Sequence, residues 1–308
     1  MSQTAIVFPG QGSQSLGMLA DIAERFSVVE QTFAQASDVL GYDLWALVQD
    51  GPSENLNRTD RTQPALLAAS VALWRVWNEQ GGQAPSYLAG HSLGEYSALV
   101  CSGAIAFEDA IKLVELRGQY MLEAVPEGVG SMAAIIGLDD DAIATACNAA
   151  QQGQVVSPVN YNSPGQVVIA GHKDAVERAS ALCKEAGAKR ALPLAVSVPS
   201  HCSLMVPAAE KLSAQLDNTT VNEPTIPVVN NVDVAIADTA EQIKDALKRQ
   251  LFSPVRWTET VQFLASNDVT TQIEIGPGKV LSGLAKRIDK SVVGVATTDL
   301  ASLEKALA

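Results

Sequence analysis

The sequence predicts an α/β protein in which a parallel sheet covered by helices carries an inserted, smaller α+β subdomain. Short β-rich runs alternate with longer helical periods toward both ends of the chain, whereas the order of elements changes after residue 126. The length of 308 residues also exceeds the usual size of one domain. We therefore expect a core formed by residues 1–126 and 199–308, and an inserted subdomain formed by residues 127–198.

The N-terminal part of the core alternates strands and helices. Proline is favoured in the first turn of a helix and glycine just beyond its end, which places two of the helix boundaries. The expected strands are 4–8 and 86–90, and the expected helices run from 19 to Gly41, from Pro64 to Gly81-Gly82, from about Leu93, and over 107–125.

The insert has its own order of elements. We expect strands at 131–138, 155–161, 166–171 and 189–196, and helices at 140–150 and 174–187. This β-α-β-β-α-β order is ferredoxin-like, and the turn at 162–165, Asn-Ser-Pro-Gly, suits its central hairpin. After Pro199 the α/β pattern resumes, with expected helices at 202–216, 240–251 and 278–288 and expected strands at 226–231, 271–276 and 292–296.

Composition excludes several classes of protein. The apolar fraction is 47% and the charged fraction 18%, which is typical of a globular chain and not of a disordered one. A formal net charge of −13 disfavours nucleic acid as a partner. The four cysteines form no C-x-x-C pair, so we expect neither a disulfide framework nor a thiolate metal site. The longest strongly apolar stretch, 65–74, is far shorter than the ~20 residues of a membrane helix, and the N-terminus lacks the basic residues of a secretory signal. We therefore expect a cytoplasmic protein without membrane contact.

The most informative motif is Gly90-His91-Ser92-Leu93-Gly94, a G-x-S-x-G sequence between an expected strand and an expected helix. This is the context of a nucleophile elbow, in which a tight turn exposes the serine hydroxyl above the sheet. The next backbone N–H, that of Leu93, would then face an incoming carbonyl oxygen. The alternative is that Ser92 is only the N-cap of the helix.

A serine nucleophile needs a base, and the chain has three histidines, His91, His172 and His201. His91 adjoins the serine and would face the other side of the strand, while His172 is expected in a surface turn. His201 precedes a helix, where the macrodipole keeps an imidazole neutral and able to accept a proton. The alternative for His201 is a solvated residue at a helix start, and the neighbouring Cys202 is a weaker candidate nucleophile.

Arg117 is out of place in the helix at 107–125, because it falls within the apolar arc. A buried guanidinium needs an anionic partner, which is either an internal carboxylate or a bound anionic ligand. The glycine-rich loop at 10–17 does not match the phosphate-binding patterns, although its backbone N–H groups could bind an oxyanion.

Several long motifs together resemble the malonyl-CoA:acyl carrier protein transacylases of bacterial type II fatty-acid synthesis. The resemblance spans nearly the whole chain and includes FPGQGSQ at 8–14, GHSLGEYSAL at 90–99, Arg117, NYNSPGQVVIAG at 160–171, VPSHC at 198–202, PVVNNVD at 227–233 and EIGPGKVL at 274–281.

The resemblance implies an α/β-hydrolase-like parallel-sheet core with a ferredoxin-like insert, and it implies roles for six residues. Ser92 corresponds to the nucleophile, His201 to its base, Arg117 to the group that binds the malonyl carboxylate, Gln11 and Leu93 to the two backbone donors of the oxyanion hole, and Gln250 to the residue whose main-chain carbonyl orients the histidine.

The activity implied is transfer of a malonyl group from malonyl-CoA to the phosphopantetheine thiol of acyl carrier protein, through a malonyl-serine intermediate with ping-pong kinetics. No metal or other cofactor is implied, and we expect a monomer. Since the carrier protein is expected to be acidic, the basic pairs Lys189-Arg190, Lys248-Arg249 and Lys286-Arg287 are candidates for its docking site. Two alternatives are a serine esterase or thioesterase on the same core, and a non-catalytic scaffold that binds acyl carriers.

Overall fold

The computed structural model of the chain describes residues 3–196 and 198–308. Met1 and Ser2 of the predicted core, and Ser197 of the predicted insert, lie outside the described residues. The strands are β1 Gln3–Phe8, β2 Tyr87–Gly90, β3 Gly130–Ile136, β4 Val156–Ser163, β5 Gln166–His172, β6 Arg190–Pro193, β7 Val228–Val229, β8 Val269–Glu274 and β9 Val293–Ala296. The α-helices are α1 Ala20–Arg25, α2 Val28–Leu40, α3 Leu44–Asp50, α4 Ser53–Leu56, α5 Thr59–Glu79, α6 Gly94–Cys101, α7 Phe107–Ala124, α8 Asp140–Ala150, α9 Lys173–Glu185, α10 Val206–Asn218, α11 Ala240–Gln250, α12 Trp257–Ser266, α13 Val280–Ile288 and α14 Leu300–Leu307.

The larger sheet is parallel throughout and has the strand order β7-β2-β1-β8-β9. Its central strand β1 is buried from Thr4 to Phe8, as expected for a strand covered by helices on both faces. The carboxyl ends of β1 and β2 lie side by side, because Phe8 pairs with Gly90. The glycine-rich loop after β1 and the G-x-S-x-G turn after β2 therefore meet at one edge of the sheet, where ligands bind in open α/β sheets.

The smaller sheet is antiparallel and has the order β4-β5-β3-β6. Helices α8 and α9 cover one face and pack on Ala133 and Ile135 of β3. Met132 and Ala134, which alternate with these residues along β3, lie on the other face, in and against a cluster that includes Cys202. This sheet thus turns its second face toward the segment that contains His201.

Both the predicted parallel sheet and the predicted β-α-β-β-α-β order are confirmed. The division of the chain into two domains at residues 126 and 199 stays a prediction. No helix among the described residues is sufficiently long and apolar to cross a membrane.

The prediction that a helix begins at Pro64 is wrong, because α5 begins at Thr59 and contains Pro64. A proline inside a helix removes the hydrogen bond that its own N–H would donate, and its ring crowds the carbonyl group one turn earlier. In α5 nearly every residue from Thr59 to Val76 is buried against neighbouring elements, and this packing outweighs the local cost of the proline. The single helix expected before Gly41 is likewise interrupted, at Phe26 and Ser27.

Candidate active site

The turn between β2 and α6 has the geometry of a nucleophile elbow. Ser92 has a φ of 53°, in the left-handed region that residues other than glycine rarely adopt. A Cβ atom on Gly90 would lie 1.9 Å from the backbone carbon of Gly94, and one on Gly94 would lie 2.1 Å from the carbonyl oxygen of Phe8. Only glycine allows the strand and the helix to approach so closely, which accounts for the glycines on both sides of Ser92.

His201 lies directly beside Ser92. Its Nε2 is 2.8 Å from Ser92 Oγ, and its Nδ1 is 2.7 Å from the main-chain oxygen of Gln250. Because a carbonyl oxygen only accepts, Nδ1 must carry the hydrogen and donate it. Nε2 is therefore left with a lone pair that can accept the proton of the Ser92 hydroxyl.

The surroundings of His201 keep it neutral. Its side chain is buried, and burial, together with the positive charge of Arg117, lowers the pKa of His201 from 6.5 to about 3. Both causes disfavour the imidazolium form, whereas the carbonyl of Gln250 favours it and offsets them in part. At neutral pH the ring is in the form that a general base requires.

Arg117 projects from the middle of α7 into the same site and is only 2% exposed. Nη1 donates to Gln63 Oε1 (2.7 Å) and Nη2 donates to Gln250 Oε1 (3.0 Å). Nη2 is also 3.5 Å from Ser92 Oγ, and the guanidinium carbon lies 5.4 Å from the centre of the Tyr96 ring. No carboxylate of the described residues forms an ion pair with Arg117. The sequence left open whether Arg117 pairs with an internal carboxylate or with a bound anionic ligand. In the described part of the chain, no internal carboxylate fills this role.

Gln11 and Leu93 border the same cavity as Ser92. Within the described part of the chain, neither of their backbone N–H groups has a protein acceptor, whereas the N–H of Ser92 donates to Asn231 Oδ1 (2.7 Å). The side chain of Gln11 is held separately, since its Oε1 accepts from Thr59 Oγ1 (2.7 Å). Two backbone donors next to the serine therefore remain available to an oxygen atom of a ligand.

The cavity that these residues share has a volume of about 90 Å³ and lies between the two sheets. One wall includes Ser92, His201 and Arg117, and another includes Met132 of β3 and Leu194, which directly follows β6. One side is thus polar and reactive while the other is largely apolar, an arrangement typical of small-molecule sites.

Other candidates from the sequence have structural partners. His91 Nε2 is 2.9 Å from Asn162 Oδ1, and burial lowers the pKa of His91. His172 Nδ1, at the end of β5, accepts from the N–H of Val155 (2.9 Å). Burial raises the pKa of the Cys202 thiol to about 11, so this cysteine is a poor nucleophile. Within residues 3–196 and 198–308, no group of three histidine, cysteine or acidic side chains is placed to hold a metal ion.

Sequence reasoning missed a polar network beneath the serine. Asn231 Nδ2 donates to the oxygen of Gly90 (2.6 Å), in addition to the contact of Asn231 Oδ1 with the N–H of Ser92. The carboxylate of Glu95 accepts from the backbone N–H of Asn231 (3.0 Å) and from Gln250 Nε2 (2.8 Å). A signal for Glu95 was present, because it is the only charged residue of the short, largely buried helix α6. The asparagine and the glutamine side chain carry no such local signal.

Comparison with known proteins gives one consistent result. The acyl transferase domain family matches residues 5–305 of this chain. The malonyl CoA-acyl carrier protein transacylase of Escherichia coli (strain K12) is 64% identical over 307 residues, covering 100% of this chain and 99% of that protein. The enzyme of the same name from Bacillus subtilis (strain 168) is 45% identical over 308 residues, covering 100% of this chain and 97% of that protein.

Solved structures agree with these relatives. The crystal structure of an acyl carrier protein S-malonyltransferase from Vibrio cholerae O1 biovar eltor superposes with a TM-score of 0.96 at 68% identity, covering 99% of each chain. A malonyl-transacylase solved in complex with its type II PKS acyl-carrier protein superposes with a TM-score of 0.98 at 67% identity, again covering 99% of each chain. The predicted fold class is thereby confirmed. The chain belongs to the acyl transferase domain family and, within it, to the malonyl CoA-acyl carrier protein transacylases.

Proposed function

We propose that this protein transfers a malonyl group from malonyl-CoA to the phosphopantetheine thiol of acyl carrier protein, with Ser92 as the intermediate acceptor, and so supplies extender units for fatty-acid synthesis. One observation carries the proposal. The hydroxyl of Ser92 lies 2.8 Å from the accepting nitrogen of His201 and 3.5 Å from the guanidinium of Arg117, within a single cavity. A base and an anion-binding group therefore converge on one nucleophile.

The first half-reaction loads the serine. Ser92 Oγ attacks the thioester carbonyl of malonyl-CoA while its proton passes to His201 Nε2. The backbone N–H groups of Gln11 and Leu93 stabilise the oxyanion of the tetrahedral intermediate, and losing one such donor typically costs about 3–4 kcal/mol. His201 then returns the proton to the sulfur, the C–S bond breaks, and coenzyme A leaves behind a malonyl ester of Ser92.

The second half-reaction reverses these steps with a different thiol. The phosphopantetheine thiol of the carrier protein gives its proton to His201 and attacks the ester, and the Ser92 alkoxide leaves and is reprotonated. His201 needs no acidic third residue for this work, because the main-chain oxygen of Gln250 holds its Nδ1–H. A thioester is already an activated acyl donor, so the proposal requires neither a metal nor a cofactor.

Arg117 selects the acyl group. Among the described residues, its buried, charged guanidinium donates to two neutral amides and to the serine hydroxyl, so the malonyl carboxylate would be its first direct anionic partner. An acetyl group has no carboxylate and would leave the charge unpaired.

Of the three basic pairs considered as docking sites for acyl carrier protein, Lys248-Arg249 is the least suitable. Arg249 is held in ion pairs with Asp233 and Asp245 (both 2.7 Å). The pair Lys286-Arg287 is exposed on α13, and Arg287 contacts Gln166 Oε1 (3.3 Å) of the insert. Gln166 and Arg190 both pair with Ile136 of β3, so the exposed pair Lys189-Arg190 lies at the same end of the smaller sheet. We propose that these two pairs, Lys189-Arg190 and Lys286-Arg287, form the docking patch.

Mass spectrometry of the intact protein after mixing with malonyl-CoA tests the function. The expected result is one malonyl adduct per chain, mapped to Ser92, which disappears when the carrier protein is added. Ser92→Ala is the control and should acquire no adduct. An adduct on another residue, or none, would contradict the proposal. We also propose that the enzyme is metal-free, monomeric and cytoplasmic. Activity in the presence of a chelator tests the first property, sedimentation of the pure protein tests the second, and cell fractionation tests the third.

A further inference from the structure

The site contains a second buried ionisable group that the transfer reaction does not use. Glu95 lies in the first turn of α6, one helical turn after Ser92, and is 2% exposed. Its Oε2 accepts from the N–H of Asn231 (3.0 Å) and from Gln250 Nε2 (2.8 Å). Burying a carboxyl group is costly, so its presence directly beneath the nucleophile calls for a role.

The side-chain amide of Gln250 connects Glu95 to the anion-binding group. Its Oε1 accepts from Arg117 Nη2 (3.0 Å), while its Nε2 donates to the main-chain oxygen of Ser92 (3.0 Å) and to Glu95. If this amide turned over, its NH₂ would face the guanidinium, which has only donors, and its oxygen would face the carboxylate, which has only acceptors when ionised. Glu95 and Arg117 thus dictate the orientation of Gln250 from opposite ends.

Ser92 alone would hold the amide less firmly. Its main-chain oxygen already accepts the N–H of Glu95 (3.1 Å) in the first turn of the helix. The carboxylate of Glu95, in turn, is held in place by the backbone of Asn231. Glu95 is therefore the acceptor that holds the NH₂ end of the amide.

We propose that Glu95 is a positioning residue for acyl-group selection: its carboxylate holds the amide of Gln250 so that Oε1 orients the guanidinium of Arg117 for the malonyl carboxylate. This inference rests on the proposed function. Gln250 and Gln63 each accept from one terminal nitrogen of the guanidinium, which leaves its other N–H groups for the ligand. Glu95 touches neither the acyl group nor His201 in this arrangement.

The geometry separates selection from nucleophile activation. His201 is held by the main-chain oxygen of Gln250, at the end of α11, and this contact does not depend on how the side-chain amide is turned. Loss of the Glu95 contact should therefore lower the preference for malonyl over acetyl groups more than it lowers the reactivity of Ser92. Burial also raises the pKa of Glu95 to about 7, so a neutral group of the same shape is close to a form that the protein already adopts.

Two substitutions of Glu95 distinguish the effect of its side-chain length from the effect of its charge. Glu95→Gln keeps the shape and one accepting oxygen but removes the charge. Glu95→Asp keeps the charge but shortens the side chain by one methylene, so that its oxygen no longer reaches Gln250. Leu99→Ala is the matched control, because Leu99 is also buried on α6. Leu99 and Glu95 both line a second, smaller cavity that is separate from the one at Ser92, and the side chain of Leu99 makes no polar contact in the site.

The measurement is kcat/KM for loading of malonyl-CoA and of acetyl-CoA, together with the thermal midpoint of each protein. We expect Glu95→Asp to lower the malonyl-to-acetyl ratio roughly 10-fold or more, the size of one lost hydrogen bond to a charged group. Glu95→Gln should keep the ratio of the parent protein. Leu99→Ala should lower the thermal midpoint and leave the ratio unchanged.

A Glu95→Asp protein with the parent ratio, or a Glu95→Gln protein that loses it, would overturn the inference. Gln250→Ala provides a second test that leaves Glu95 intact. It should lower the ratio by a similar factor, and an unchanged ratio would also overturn the inference. Failure of the unsubstituted protein to load malonyl groups at all would instead refute the proposed function, so the two failures are distinguishable.

Discussion

Replacing Arg117 by methionine tests directly how the site selects its acyl group. Methionine has a similar length but no charge and no N–H groups, so the malonyl carboxylate would lose its cationic partner. The buried oxygens Gln63 Oε1 and Gln250 Oε1 would each lose a donor as well, which predicts some loss of stability. Arg117→Lys is the matched variant, because it keeps the charge but loses the planar fork.

The magnitude follows from the burial of the guanidinium. Removing one partner of a buried, hydrogen-bonded charge pair costs about 2–5 kcal/mol. At about 1.4 kcal/mol per factor of ten, kcat/KM for malonyl-CoA should fall roughly 30- to 4000-fold in Arg117→Met. Acetyl-CoA gains nothing from the charge, so its kcat/KM should stay the same or rise. For Arg117→Lys we expect a smaller loss of malonyl loading, roughly tenfold, because a point charge replaces a bidentate contact.

The assay measures acyl loading of Ser92 by intact mass at limiting concentrations of each acyl-CoA. Comparing the two acyl groups on the same protein sample removes differences in folded fraction, since a partly unfolded variant loses both activities together. The reasoning would be refuted if Arg117→Met kept the malonyl-to-acetyl ratio of the parent protein, whatever its absolute rate.

Three further predictions concern other parts of the molecule. Burial and Arg117 lower the pKa of His201 from 6.5 to about 3, so the base stays neutral as the pH falls. We therefore expect kcat/KM for loading to show no decrease with a midpoint near pH 6.5. A decrease at that pH would contradict a neutral, buried base. Gly94→Ala should lower the free energy of unfolding, measured in urea, by about 3 kcal/mol or more, because the new Cβ would lie 2.1 Å from a backbone oxygen. The control Gly283→Ala places its Cβ in open space on α13 and should raise the free energy of unfolding by about 0.5–1 kcal/mol. Equal effects of the two substitutions would argue against the close approach at Gly94. Arg190→Glu combined with Arg287→Glu should slow transfer to carrier protein in a salt-dependent way but not loading from malonyl-CoA, and unchanged transfer would rule out this patch.

Most of the fold could be predicted because its signals are local. The alternation of strands and helices and the β-α-β-β-α-β order follow from periodicity, and glycine marks helix ends such as Gly41, whose φ is 73°. Pro64 misled the prediction because local propensity favours proline at a helix start, while α5 is held by packing along most of its length. The short helices α3 and α4 and the amphipathic α12 were missed for a related reason, since each depends on the surface that it covers.

The reactive groups were predictable because each violates a local rule. Ser92 stands between glycines at a strand-to-helix turn, and Arg117 places a charge on an apolar face. The hydrogen-bond partners of these groups give no signal in the sequence around them. Gln250 meets Ser92 across 158 positions of sequence, and Asn231 meets it across 139. Amide side chains are common on protein surfaces, so only the tertiary structure shows that these are buried and bound.

The absence of a direct carboxylate partner for Arg117 among the described residues has a physical consequence for the reaction. An aspartate or glutamate in contact would neutralise the guanidinium and occupy the fork that a ligand needs. Gln63 and Gln250 instead satisfy part of its hydrogen-bonding capacity without neutralising it, and Glu95 lies one amide further away. Burial lowers the pKa of Arg117, and the nearby charge of Glu95 offsets this in part while leaving the fork open. Within the described part of the chain, an incoming malonyl carboxylate therefore competes only with neutral acceptors, and the site can hold a buried cation ready for an anionic acyl group.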